Sequence, residues 1–445
     1  MARWIGSLLV IITGLNGCGG SGTVNPPDGR IRALNMVSTR ASVDFLRVEQ
    51  REGSLSFKQN TGFIVVDADA YNFNIEVTAA GATDPTRVTS FPATIVADRD
   101  YTYVITEPTP NNFVVTPFDR DVADAPSGQT AIDLMNLATN FGSTDIFIEP
   151  PGTPLVGAVP FAQAVPPSTT VLEGTLAAGD YVVSLTPPGN PAMPLFTSAT
   201  VTLADGDRVF AVIADSEGTL TANVSVLLIS TQANGGQEIL DVNAQPELRL
   251  LNARAQAGDL DLIVDDNFAM PLHAAVAPES VTGYAAVSSG TRNLKIIRTG
   301  NPSTIELDQD IDIPLGVRTT LLIGGDLGAI VGAQDLDDLR LFPGAAKLRI
   351  ASGAAIAGAV NIYIVPPGTD ITNENPIVTN FSLGLSSYLQ FQPGNYEVIL
   401  AELGTTNVIG TPVPITVNGS GLYGIVIIDD AVTQFRVVLI DDFVP

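Results

Sequence analysis

Tandem all-β sandwich domains are what the 445-residue sequence predicts, on three observations. The first is repetition. Leu248-Arg249-Leu250-Leu251-Asn252 is followed by Asp261-Leu262-Ile263-Val264, with Asn252 and Asp261 nine positions apart, and the same offset separates Asn35 from Asp44, Asn136 from Asp145, and Ser352 from Asn361. A period of about 100 residues is too long for a solenoid and suits domains that each bury a core. The second is composition: 45% apolar against 15% charged residues, with 41 Gly and 31 Pro as punctuation. Such a chain is not a disordered polyelectrolyte, and its Val, Ile and Leu favour strands. The third is alternation. In Tyr71-Asn72-Phe73-Asn74-Ile75-Glu76-Val77 apolar and polar residues take turns, the signature of a strand with one dry face and one wet face.

Taken in order, the chain opens with a basic Met1-Ala2-Arg3 and an apolar stretch over residues 4–13. That stretch is shorter than the ~20 residues a spanning helix needs, so residues 1–17 read as a signal peptide. Leu15-Asn16-Gly17-Cys18 resembles the lipobox of bacterial lipoproteins, in which the peptide is cleaved before a cysteine that takes up lipid. Asn16 departs from the residues usual at its place. Several acyl chains give stable anchoring, because each buried methylene contributes about 0.8 kcal/mol. By the same resemblance, Gly19 in place of Asp implies delivery to the outer membrane. Residues 18–29 form the lipidated tether, rich in Gly, Ser and Pro. With Cys18 the single cysteine, no intramolecular disulfide is available.

Four antiparallel β-sandwich repeats are expected over residues 30–121, 131–230, 247–341 and 346–443. Asp205-Gly206 between two apolar runs marks a hairpin. Residues 231–246, containing Gly235-Gly236, read as the longest linker. The third repeat looks deviant: residues 267–283 read as an irregular insertion holding His273, and Arg292 stands where the second and fourth repeats have Tyr181 and Tyr396.

The opening apolar segment, the acidic or amide residue nine positions on, and the Gly-x-Tyr-x-Val segment at Gly179 and Gly394 resemble the domain of unknown function family 4397. The resemblance implies an extracytoplasmic, immunoglobulin-like β module and carries no established activity. Asn35, Asn136, Asn252 and Ser352 occupy the place of that family's usual histidine, so any role of the histidine is lost here.

Chemistry is scarcely provided for. The net charge of −26 excludes nucleic acid, whose phosphates need clustered Lys and Arg; Arg208 is the one basic residue between Val122 and Pro246. A hydrolase triad needs a histidine base, for which His273 is the only candidate, in an irregular segment and without a G-x-S-x-G motif; a zinc site is left with that one imidazole, since Cys18 is given to lipid. Calcium is the cation a surplus of carboxylates suits: Asp308, Asp310 and Asp312, with Glu306, alternate with apolar residues and would share one face of a strand. Asp335, Asp337 and Asp338 are a second acidic group, placed where calcium would stiffen a domain junction. Tyr71, Tyr181 and Tyr396 read as structural tyrosines whose hydroxyls tie down a loop, with sugar stacking as the alternative.

The expectation is therefore a noncatalytic outer-membrane lipoprotein of the bacterial envelope, periplasmic or surface-facing. It is held to the membrane by its lipid and serves in binding, adhesion or scaffolding of a protein or polysaccharide. The alternatives are a rigid spacer stiffened by calcium and a hydrolase using acidic residues.

Overall fold

The computed structural model describes residues 27–231, 236–255, 258–325, 331–354, 358–430 and 434–441. The signal peptide, Cys18 and the tether up to residue 26 lie outside the described residues.

The first unit contains β1 (Asp28–Asn35), β2 (Ser42–Arg47), β3 (Gln50–Ser56), β4 (Ile64–Asp67), β5 (Ala70–Val77), β6 (Thr86–Thr94), β7 (Arg99–Thr109) and β8 (Asn112–Asp121). These form two sheets in the orders β4-β1-β7-β8 and β3-β2-β5-β6. Alternation along β1 sets its role. Ile31 and Ala33 point into a core shared with Val43, Phe45, Phe73 and Tyr103, whereas Leu34 belongs to a separate apolar cluster outside that core.

The other units repeat this order. The strands Gln129–Asn136, Glu247–Asn252 and Ala346–Ser352 take the place of β1, and Arg208–Asp215, Arg318–Gly324 and Leu422–Asp430 that of β7. One feature departs from a wholly antiparallel sandwich: β1 runs parallel to β7, with Ile31 opposite Tyr101, and each counterpart pair is parallel too. A parallel neighbour needs a crossover rather than a hairpin. Here the chain makes that crossover through the opposite sheet.

Each pair of sheets encloses its own buried cluster. Two further clusters join units in pairs. Leu34, Val104 and Phe118 meet Met135, Phe210 and Val212, with the Phe118 and Phe210 rings stacked at 5.1 Å. In the same way Leu251 and Leu322 meet Ala351, Val426 and Ile428. The second junction is so close that a Cβ added to Gly324 would lie 2.2 Å from the Gly353 carbonyl oxygen, so only glycine fits there. The pairs also touch each other: Thr221 N donates to Gly316 O (2.8 Å), and Gln392 Nε2 to Ala80 O (2.6 Å).

Three sequence expectations need correction. β1 starts at Asp28, inside the expected tether. Gly236–Ile239, inside the expected linker 231–246, is a strand paired with Val224–Ser230, because Ile239 is apolar enough to be buried opposite Val226. Residues 267–283 are no insertion: they contain His273–Val276, the counterpart of β3, and Ser280–Val281, which pairs with Glu247–Asn252 as β4 pairs with β1.

Candidate binding sites at the sheet junctions

The repeated polar pair is structural. Asn35 Nδ2 donates to Leu55 O (2.8 Å), Asn136 Nδ2 to Val165 O (2.9 Å) and Asn252 Nδ2 to Val276 O (3.0 Å), each linking one sheet to the other through buried atoms. At Ser352 no such side-chain bond is present among the described residues. The partner nine positions on holds a bulge. Asp145 Oδ1 accepts from Ala164 N (2.7 Å), Asp261 Oδ1 from Ala275 N (2.8 Å) and Asn361 Oδ1 from Asn380 N (3.3 Å). Those three donors have φ of 47°, 51° and 53°, left-handed values adopted where the strand register shifts. A non-glycine residue held there is strained, and the side-chain acceptor offsets the strain. In the first unit Asp44 instead pairs with Arg51 at 3.1 Å.

The tyrosines tie down the chain just ahead of them. Tyr71, Tyr181 and Tyr396 hydroxyls donate to the carbonyls of Asp67, Ala177 and Gln392, at 3.1, 2.8 and 2.9 Å. Arg292 substitutes for the tyrosine with Nη2 donating to Ser289 O at 2.8 Å.

The acidic stripe does not fit calcium. Asp308, Asp310 and Asp312 are exposed and alternate with Leu307, Ile311 and Ile313. However, a register shift removes Glu306 from the series, and it pairs with Arg254 (2.6 Å) and Arg298. Asn293 Nδ2, a donor, sits between Asp308 and Asp310 at 2.8 and 2.9 Å, and Lys295 Nζ is 3.7 Å from Asp308. Among the described residues no three His, Cys, Asp or Glu side chains are grouped to hold a metal ion. The second acidic group is likewise satisfied by cations: Asp335 and Asp337 pair with Arg349, and Asp338 with Arg340. His273 is not a loop residue at the surface. It is half-buried in a strand, its Nε2 is 3.0 Å from Leu248 O, and burial lowers its pKa, so the neutral ring donates to that carbonyl.

The unanticipated feature lies in the junctions. Three positions before each repeated Asn or Ser stand Arg32, Asp133, Arg249 and Arg349, all buried and turned away from their own cores. Arg32 Nε donates to Thr102 Oγ1 and Arg249 Nε to Thr320 Oγ1, both at 2.8 Å. Aromatic rings cover both guanidinium groups, Phe63 at 4.4 Å from Arg32 and Tyr284 at 4.8 Å from Arg249. Following the ladders outward, Thr102 lies opposite Phe118 and Thr320 opposite Asp335. Two residues further along, Arg120 in the first pair therefore takes the place of Asp337 in the second. Arg120 pairs with Asp133; Asp337 pairs with Arg349. The salt bridge is the same and its signs are exchanged. Sequence reasoning had a signal for this, a charge embedded in an apolar strand, visible once the repeats are aligned on Asn35, Asn136 and Asn252.

Two clefts open beside these junctions. One of about 310 Å³ has Met36, Val114, Met135 and Leu137 along it and Glu107 and Asp215 at its sides. Glu107 accepts from Arg40 (2.9 Å) and Asn111 N (2.6 Å), and Asp215 from Thr139 N (2.8 Å). The other, of about 340 Å³, is lined by Lys347, Arg349, Asp338 and Tyr388. Burial lowers Lys347 to about 8 against the pull of Asp338, and its Nζ donates to Asp338 O (2.6 Å) and Arg340 O (3.0 Å). Glu107, Asp215, Lys347 and Arg349 are thus engaged in the framework, while Glu217, also at the first cleft, is raised by burial and by Asp215.

A family model described as a domain of unknown function, DUF4397, matches residues 29–147 and 246–363, just over half of the chain. The chain belongs to the DUF4397 family. Each DUF4397 match begins at the first strand of a pair, at residue 29 within β1 or at residue 246 just before Glu247–Asn252, and ends in the second strand of the following unit, Thr144–Glu149 or Val360–Val365, so the two matches occupy equivalent parts of the two pairs. No curated protein matches this chain. Among solved structures it is similar to the Bacillus anthracis TIE protein, at 9% identity, over 86% of this chain and 65% of that one, with a TM-score of 0.15. The chain thus spans less than two thirds of that protein's length, and a score this low carries no structural argument.

Proposed function

We propose that this DUF4397 chain is a noncatalytic lipoprotein module of the bacterial envelope, anchored to the outer membrane through Cys18, that binds or scaffolds a protein or polysaccharide. The observation that carries the reading is how the chemistry-bearing groups are used. Asp145, Asp261, Asp337, Lys347 and His273 each hold a bulge, a junction or a strand. What is left to solvent is polar strand surface, such as β6 and Asn301–Ile313. Repeated polar faces on linked units suit recognition by several weak contacts, which linkage strengthens without any new bond.

A rigid spacer is the second reading, favoured by the buried junctions, which stiffen the array without metal. Protease shaving of intact cells, blotted for the fourth unit with a periplasmic protein as leak control, tests surface display. Loss of that unit supports adhesion or matrix binding, and full protection redirects the reading to a periplasmic scaffold. Cys18→Ser must release the protein from the membrane fraction; retention there contradicts the lipid anchor.

A further inference from the structure

We propose that the junction between the first and second units holds a small inorganic anion, of the chloride class, against the Arg32 guanidinium. Arg32 is 3% exposed and lies between the Phe63 ring at 4.4 Å and the Phe210 ring at 5.8 Å. Among the described residues its one hydrogen bond is from Nε to Thr102 Oγ1, and no carboxylate lies within ion-pair distance of it. The nearby carboxylates are engaged elsewhere: Asp100 takes both arms of Arg30, at 2.6 and 2.7 Å, Asp133 pairs with Arg120, and Asp207 accepts from Arg208 N (2.7 Å) and Thr231 Oγ1 (3.1 Å).

The group faces a cavity of about 10 Å³, whose polar lining is Asp100, Thr102, Arg120, Asp133, Arg208 and Thr231. That is room for about one water-sized particle. A buried charge needs a counter-charge, and a lone guanidinium between two sheets is costly without one. The strain shows in the titration of Arg32, which burial lowers to about 10.

The other junction supplies the comparison. There Arg249 has the carboxylate of Asp337 at 3.7 Å, and Asp337 and Asp335 together balance Arg249 and Arg349. In the first junction Arg120 and Asp133 exchange the places of Asp337 and Arg349, which leaves their sum unchanged, but Phe118 stands where the second has Asp335, so one carboxylate is missing beside Arg32. An anion in the cavity supplies the negative charge that Asp335 supplies in the second pair. The site is confined to one junction of an otherwise strongly acidic chain, where diffuse attraction of anions is not expected.

Bromide exchange is the test. Crystals of the full chain grown or soaked in sodium bromide should give an anomalous peak beside Arg32 in the first junction and none beside Arg249. Arg32→Met should abolish the peak. The triple variant F118D/R120D/D133R, which rebuilds the second pair's charge arrangement including the carboxylate of Asp335, should abolish it as well while keeping Arg32, so the test survives if Arg32→Met fails to fold. An ordinary water at that place in fully exchanged wild-type crystals would overturn the proposal. So would a bromide that persists in either variant.

Discussion

Arg120 and Asp133 form across the first junction the salt bridge that Asp337 and Arg349 form, with signs reversed, across the second. Each pair is buried between two sheets whose inner faces already belong to separate cores. Buried ion pairs contribute little net stability because desolvation opposes them, yet removing one partner leaves a stranded charge. Their effect is on which units meet. The first unit presents Arg120 and the third presents Asp337, so an exchange of partners would set Arg120 against Arg349, or Asp133 against Asp337. The charges discriminate between pairings that the apolar surfaces alone would tolerate.

Asn136→Ala should cost about 2 kcal/mol, read by chemical denaturation. The substitution strands the Val165 carbonyl and the Ala138 amide, which now bond to Asn136 at 2.9 and 3.0 Å in a buried setting. A loss below about 0.5 kcal/mol would mean that this link between the sheets is not a stability element.

Asp145→Ala should be at least as damaging, because its two oxygens hold the Ala164 amide, at φ 47°, and the Gly189 amide, both at 2.7 Å. Hydrogen exchange should report the damage locally, with faster exchange at Ala164 and Gly189 than at amides of the first unit. Uniform exchange across the chain would contradict a bulge-holding role.

Millimolar calcium should leave the melting temperature unchanged, and Asp308→Asn, Asp310→Asn and Asp312→Asn together should leave it unchanged or raised. Asn293 Nδ2 donates to two of these carboxylates, and exchanging acids for amides relieves like-charge repulsion at an exposed face. A calcium-dependent rise that the triple variant loses would restore the metal reading.

Lys347 gives stability a particular dependence on pH. Its folded pKa of about 8 lies below the ordinary 10.5, so between those values the unfolded chain holds a proton the folded chain lacks. Stability relative to Lys347→Met should be level below pH 8 and rise with pH toward 10.5. Asp338, lowered against burial by its bond to Arg340, and Arg349, raised against burial by Tyr388 and Asp337, keep their charges across that window and remain in both proteins. A difference that falls with rising pH would mean that the carboxylate of Asp338, rather than burial, governs this lysine.

Much of the fold was legible in the sequence. The nine-residue offset marks real constraints: Asn35 and Asn136 must stand where strand end meets opposite sheet, and Asp145 and Asp261 where a bulge needs an acceptor. Tyr181 was legible for a similar reason, since its anchor at Ala177 is local in sequence. The short strand at Gly236–Ile239 was hidden because four residues with one buried apolar side chain give too little periodicity. His273 looked loop-bound because the strand it begins is equally short. The junctions were least legible. Nothing along one strand says that Arg32 turns toward another unit, and the pairing of Arg120 with Asp133 or Asp337 with Arg349 depends on a second sheet arriving face to face.

A double-mutant cycle over Arg120 and Asp133 in the full chain tests the pairing by charge most directly. Asp133→Arg gathers Arg32, Arg120 and the new cation in one buried space and should cost about 3–5 kcal/mol. Arg120→Asp should cost less, because Arg32 stands nearby as a partner. The double variant R120D/D133R should recover most of the loss, with a coupling energy above about 2 kcal/mol. Losses that simply add would show that the exchanged signs are incidental and that the apolar surfaces alone bring the units together.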